Sequence, residues 1–217
     1  MNQTSKMLLT LAETYGFSVE KPDQVLKMKV SGMKFHIRAF TASGLGHVSE
    51  MIASGFFGLM KMDTLIITPT EVDMPLFSYD RVLAMGNDTL IFELYDTLLG
   101  EPDMSLVARV KEKYKDLPDH DLGEHWYDSI KLSHSLSKKG KKVHTAAFDG
   151  CAMEYLESFL TAAKAAPDCD AAPKREKASV YVEGLLKHGG PSTDVFKKGI
   201  GEEKTAELFR KVLFATE

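Results

Sequence analysis

The sequence predicts an α+β fold in which one antiparallel sheet carries helices on its faces. Three observations predict it. Up to Tyr95 the chain is rich in short runs of β-branched and aromatic residues, punctuated by Gly, Pro, Asn and Asp. The connections between the last of these runs are too short for parallel crossovers, so neighbouring strands must be antiparallel. Beyond Gly100 the apolar residues fall at helical spacing, and strands followed by helices make an α+β arrangement rather than alternating βα units.

Taken in order, residues 3 to 15 read as a helix. Thr4 or Ser5 can cap it, Met7, Leu8, Leu11 and Ala12 share a face, and Gly16 stops it. Val25 to Val30 and Met33 to Phe40 alternate on either side of Ser31-Gly32, a hairpin signal. Thr41 to Gly46 has the start of a phosphate-cradling loop, but Ser49 stands where the third glycine belongs, and the segment is read as a turn. From His47 to Met60 the period is ambiguous: Val48, Met51, Ile52, Leu59 and Met60 suit a helix, whereas Ser54-Gly55 and Gly58 suit a hairpin tip. Residues 64–68, 76–85 and 89–95 read as successive strands, the last two joined at Gly86 to Asp88. Helices are expected over 103–117, 121–136, 152–166, 174–187 and 202–214, with a short turn from Ser192.

A chain of 217 residues, 44% hydrophobic, can bury one sizeable core, so residues 1–217 are read as a single domain. Its net charge of −4 argues against a general nucleic-acid binder, whose phosphate contacts need a basic surface. Cys151 and Cys169 form no CxxC pair, and His120 and His125 miss the spacing that stacks side chains on one helix face; no metal site is expected. Lys6 to Ala12 is too short to span a bilayer and has no cleavage-like site, which reads as a cytoplasmic protein with no membrane partner.

The run from Leu76 to Met85 carries an acid in its middle. As a strand it places Leu76, Ser78, Asp80, Val82 and Ala84 on one face and Phe77, Tyr79, Arg81, Leu83 and Met85 on the other. An ionised carboxylate among small and apolar neighbours is costly. Asp80 must therefore be paired, be hydrogen-bonded, or hold its proton to a higher pH than a free Asp, and in the last case it is a proton donor. The plainer alternative is a pairing with Arg81 or a neighbouring strand. Further along, Lys131, Lys138, Lys139, Lys141 and Lys142 lie between Asp128 and Asp149 with no intervening acid. A solvated loop or a site for an acidic partner protein would both account for them.

Two blocks carry a resemblance. Pro69, Pro75-Leu76-Phe77 and Asp80 form the first; Ser192-Thr193, Phe196, Ile200-Gly201-Glu202, Phe209 and Leu213-Phe214 form the second. Together they resemble the ferredoxin-dependent bilin reductases. The resemblance implies a three-layer α/β/α sandwich with a central antiparallel sheet. It also implies a radical reductase without an organic or metal cofactor of its own, which takes electrons from reduced ferredoxin and reduces a biliverdin-type linear tetrapyrrole. The absence of any cofactor motif in the chain suits such an enzyme.

Carried over residue by residue, the resemblance makes Asp80 the proton donor. Thr64 stands near the position of that family's partner histidine, Glu50 near a pocket glutamate, and Asp194 is the nearest acid to a second aspartate before the C-terminal helices; an exposed helix-favouring anion is the alternative for Asp194. Substrate contacts are expected from Arg38, Phe77, Ser78, Arg81, Ser192 and Lys197, with Lys187 and Lys198 as further cations for the propionates. Lys138, Lys139, Lys141 and Lys142 are the expected ferredoxin-docking residues. Thr64 lacks the acidity of a histidine, which leaves open a tetrapyrrole carrier of the same fold. A reductase of chlorophyll-derived open tetrapyrroles is the third reading.

Overall fold

The computed structural model describes residues 3–19 and 21–217. Among the described residues eight strands form one antiparallel sheet. They are β1 (Ser18–Val19), β2 (Gln24–Val30), β3 (Met33–Ser43), β4 (Gly46–Gly55), β5 (Met60–Pro69), β6 (Leu76–Ala84), β7 (Asn87–Tyr95) and β8 (Leu136–Lys141). From β3 to β7 the sheet is a meander, with β1 and β2 both pairing β3 and with β8 at the far edge. The β6–β7 turn is two residues, Met85 and Gly86, both at positive φ (51° and 73°), the backbone that lets a tight hairpin follow the sheet's twist.

The helices are α1 (Gln3–Leu9, extended by a wider turn over Thr10–Thr14), α2 (Ser105–Lys113), α3 (Thr145–Ala165), α4 (Ala171–His188), α5 (Pro191–Ile200) and α6 (Glu202–Glu207, extended over Leu208–Leu213). They form the outer layers. On one face α1, α2 and α3 bury Met7, Val107, Phe148, Tyr155 and Phe159 against Leu65, Phe77, Tyr79 and Phe92 of the sheet. On the other, α4, α5 and the C-terminal helix bury Tyr181, Phe196, Phe209 and Leu213 against Phe35, Ile37, Met51 and Ile66. The strands alternate in their allegiance, odd and even residues feeding different cores, as a sheet covered on both sides requires. The three-layer α/β/α sandwich expected from the sequence is the fold observed.

Several local expectations are corrected. Residues 47–60 resolve as strand and hairpin tip, because β4 gains full ladders with both β3 and β5. The turn read over Thr41 to Gly46 narrows to Gly44 and Leu45, since β3 runs to Ser43 and β4 starts at Gly46, where a Cβ would lie 2.5 Å from the Thr68 carbonyl oxygen. Residues 121–136 are not a helix. Gly123 takes φ 75°, and only Trp126–Ile130 makes a short 3₁₀ turn, fastened by Asp128 accepting from the His125 backbone N–H at 2.7 Å. The lysine-rich stretch that follows is the edge strand β8, and lysines on an edge discourage pairing with another chain. Helix α3 begins seven residues earlier than its apolar spacing suggests.

The loop between β5 and β6 is held from inside. Asp73 accepts from the backbone N–H groups of Leu99 (2.9 Å) and Gly100 (2.7 Å). The Lys174 ammonium, fully inside the protein, donates to the carbonyls of Met74 and Thr97 (2.7 Å each) and lies 3.2 Å from Asp73 Oδ1. This fastens α4 to the loop that sets the start of β6.

Candidate active site

Register places a row of side chains across the sheet on the α4–α6 face: Met51 pairs Thr64, Thr64 pairs Asp80, and Asp80 pairs Ile91. The next row toward Tyr95 runs through Ile66, Ser78 and Glu93, and the row on the other side through Met62 and Val82. These rows floor a cavity of about 260 Å³. Tyr181 and Leu185 of α4, Ser192 and Thr193 of α5 and Phe209, Leu213 and Phe214 of the C-terminal segment roof it, while His125 and Tyr127 close one side.

Asp80 is the acid at the centre of the floor. Its Oδ1 accepts a short hydrogen bond from the Thr64 hydroxyl, and the Ser78 hydroxyl offers another. Burial dominates its electrostatics and raises its pKa from 3.8 to about 6; the nearby charge of Glu93 adds to the rise, and the two hydroxyls oppose it. About half of the molecules thus carry a proton on this carboxyl at pH 6, and about a tenth at pH 7. The linkage has a definite sign. Between pH 3.8 and about 6 the folded protein retains a proton that the unfolded chain has released. Stability should therefore fall by about 3 kcal/mol as pH rises through that window, and remain level above it. Denaturation midpoints of the wild type and Asp80→Asn, compared across pH, read this difference directly.

Glu93 is a second carboxyl on the floor, diagonal to Asp80 across adjacent strands, and sequence reasoning missed it. Its Oε2 accepts from the Tyr95 hydroxyl at 2.6 Å, and Lys131 Nζ lies 3.7 Å from Oε1. Tyr95 stacks on Tyr181 with ring centroids 4.0 Å apart, and His125 stacks on Tyr127 at 4.8 Å. The cavity is thus mainly apolar and aromatic, with a few polar atoms aimed inward, the make-up of a site for a flat, largely apolar guest.

Of the expected residues, Asp80, Thr64, Ser78 and Ser192 come together here. Four others lie on the opposite face of the sheet, and the expectation that they touch a guest in this cavity is corrected. Glu50 is wholly buried between the Thr4 hydroxyl (2.7 Å) and Arg38 Nε (2.6 Å), so Glu50 and Arg38 satisfy each other. Phe77 packs on Phe159 at 4.8 Å in the other core. Arg81 forks onto Asp88, with Nη2 to Oδ2 at 2.7 Å, and lies over the Phe148 ring.

Asp194 is exposed in the first turn of α5, the helix-terminus role of an anion rather than a cavity acid. Lys197 donates to the Leu186 carbonyl and lines no part of the cavity; Lys187 and Lys198 are exposed and also outside it. Lys138 is buried, donating to the carbonyls of Lys115 (3.0 Å) and Leu117 (2.8 Å) and to Asp119 (2.6 Å), which removes it from any docking surface. Lys139, Lys141 and Lys142 are exposed.

No protein-family model matches the chain, and neither does any curated protein. Among solved structures it superposes on tomato phytochromobilin synthase, crystallised in complex with biliverdin, with a TM-score of 0.77 over 99% of this chain and 83% of that one. The chain has the phytochromobilin synthase fold. Sequence identity to phytochromobilin synthase is 16%, so what the two share is architecture. Among the described residues no helix is long and apolar enough to cross a membrane.

Proposed function

We propose that the protein is a divergent bilin reductase, which reduces a biliverdin-type linear tetrapyrrole with electrons from reduced ferredoxin and with Asp80 as proton donor. The observation that carries this reading is Asp80 itself, an acid with its pKa raised to about 6 on the floor of an aromatic cavity. The fold supports it, since the tomato protein of the same architecture was crystallised with biliverdin.

Reduction of one double bond takes two electrons and two protons. Each electron makes the conjugated guest more basic, and a neutral carboxyl beneath it loses its proton as that charge develops. Asp80 leaves as a carboxylate held by the Thr64 and Ser78 hydroxyls and regains its proton from water. Thr64 therefore supports the donor and is not itself an acid. The 260 Å³ cavity lies just under the ~300–1,000 Å³ usual for ligand pockets.

The deciding experiment mixes the protein with biliverdin without oxygen, records the absorption spectrum, and then adds ferredoxin with a reducing system. A bound spectrum that changes on reduction is expected. A bound spectrum that stays fixed makes the protein a carrier, and no binding rejects both readings. Lys139, Lys141 and Lys142 leave an acidic donor a basic surface beside β8. Reversing all three to Glu should cut kcat/KM for ferredoxin by about tenfold at low salt, the difference shrinking as salt screens the charges. Equal rates at every ionic strength would remove these lysines from docking.

A further inference from the structure

The connections after β4, β6 and β8 all leave the sheet at one end. Gly55 pairs Met60, Met60 pairs Ala84, Ala84 pairs Asn87 and Asn87 pairs Lys141, so these tips adjoin one another. At their apices stand Phe56, Phe57, Leu59, Met85 and Val143, which are 64%, 108%, 73%, 91% and 83% exposed. Apolar residues scattered singly over a surface are ordinary; five at the apices of one end of a sheet are a concentration that needs an explanation. Phe56, Phe57 and Met85 also hold left-handed backbone, with φ of 51°, 56° and 51°, which bulky residues rarely adopt. None of the three gains burial from it.

Charge at this end has one sign. Residues 27–36, 54–62, 82–87 and 137–148 contain no Asp or Glu, in a chain whose net charge is −4. Lys29, Lys34 and Lys61 are exposed on one side of the tips and Lys141 and Lys142 on the other. Of the acids that follow, Asp88 is buried against Arg81, Asp63 is partly buried, and Asp149, half exposed, is paired with Arg81 Nη2 at 3.3 Å.

We propose that this end of the sheet docks on an anionic bilayer surface, the apolar apices entering the interfacial layer and the flanking lysines lying against headgroup phosphates. Shape favours lipid over an acidic protein. The exposed apices alternate with grooves lined by Phe56, Phe57 and Gly58 and by Leu59, Lys61 and Lys142, and a bilayer interface deforms to follow such relief, whereas a protein would have to match it. Several inserted side chains and a basic collar are the two signals that peripheral attachment combines. The attachment does not depend on the reduction reading, but it shares Lys141 and Lys142 with the proposed ferredoxin surface, so the two partners compete for that side of the tips. It would nevertheless bring the cavity close to the surface, because Met62 and Val82 lie two strand residues, about 7 Å, inside Met60 and Ala84.

The test is co-sedimentation of the full chain at low ionic strength with phosphatidylcholine vesicles, with and without about one-third phosphatidylserine. Binding is expected only with phosphatidylserine, weakening as salt is added. Phe56→Ser combined with Phe57→Ser should lower the partition coefficient by about tenfold or more, with an unchanged thermal melt. Wild-type protein left in the supernatant with anionic vesicles overturns the proposal, and that measurement decides even if the double variant fails to fold. Undiminished binding by a folded double variant also overturns it. So does binding through these apices to an acidic ferredoxin with none to vesicles.

Discussion

Asp80→Asn should leave biliverdin bound and lower its reduction by about 10²- to 10⁴-fold, the usual worth of a positioned general acid. The amide matches the carboxyl in size and its oxygen still accepts from Thr64, so the floor of the cavity keeps its shape. What it lacks is a proton it can give. The same variant should be more stable than the wild type above pH 6, by about 3 kcal/mol, because an ionised carboxylate no longer has to be held in the cavity. Below the ordinary Asp range the two should melt together. Lower activity with higher stability is the combination expected where a site is maintained against the fold's own preference. Binding titrations and single-turnover rates separate this outcome from a variant that merely misfolds.

Asp73→Ala should cost about 3–5 kcal/mol, because it strands the Lys174 ammonium in the interior. Both residues are buried, Asp73 at 4% and Lys174 at 1% exposure. The backbone N–H groups of Leu99 and Gly100 lose their acceptor at the same time. For a chain of this size the melting temperature should fall by about 10 °C. Adding Lys174→Met should not restore it, since the carbonyls of Met74 and Thr97 then lose their donor as well. Burial pushes the Asp73 carboxyl up, but the Leu99 N–H, Lys174 and the Gly100 N–H together outweigh that and hold it below the ordinary carboxylate range. Its contribution to stability is therefore present above the ordinary Asp pKa and disappears as pH falls through the depressed one. Acid denaturation of the wild type and of Asp73→Ala, compared across pH, reads that loss.

The period of two in Leu76 to Ala84 was enough to place Asp80 among small and apolar neighbours and to send Phe77 and Arg81 to the other face. The family resemblance drew those two back toward the guest; the alternation was the better guide, because a strand's pleat leaves no freedom in the matter. Glu50 and Arg38 were misplaced because residues 47–60 carry two periods at once, and without a register for β4 their face is undetermined. Glu93 was within reach: a two-residue turn at Met85-Gly86 fixes the β6–β7 register and sets Glu93 opposite Ser78. Strand β8 went unseen because its lysines carry little β-propensity and it is an edge, where pairing on one side suffices. Without that strand, sequence alone reads Lys138 as exposed. His125, Tyr127 and Tyr181 reach the cavity through packing between segments distant in sequence, and no local pattern announces it.

Infrared difference spectroscopy during stepwise anaerobic reduction of bound biliverdin tests the central claim most directly. Below pH 6 the protonated carboxyl C=O band of Asp80 should be present with the oxidised guest, bleach as the reduced guest takes its proton, recover as water returns one, and be absent throughout in Asp80→Asn. Reduction of the guest by the wild type with no change in any carboxyl band would contradict the account.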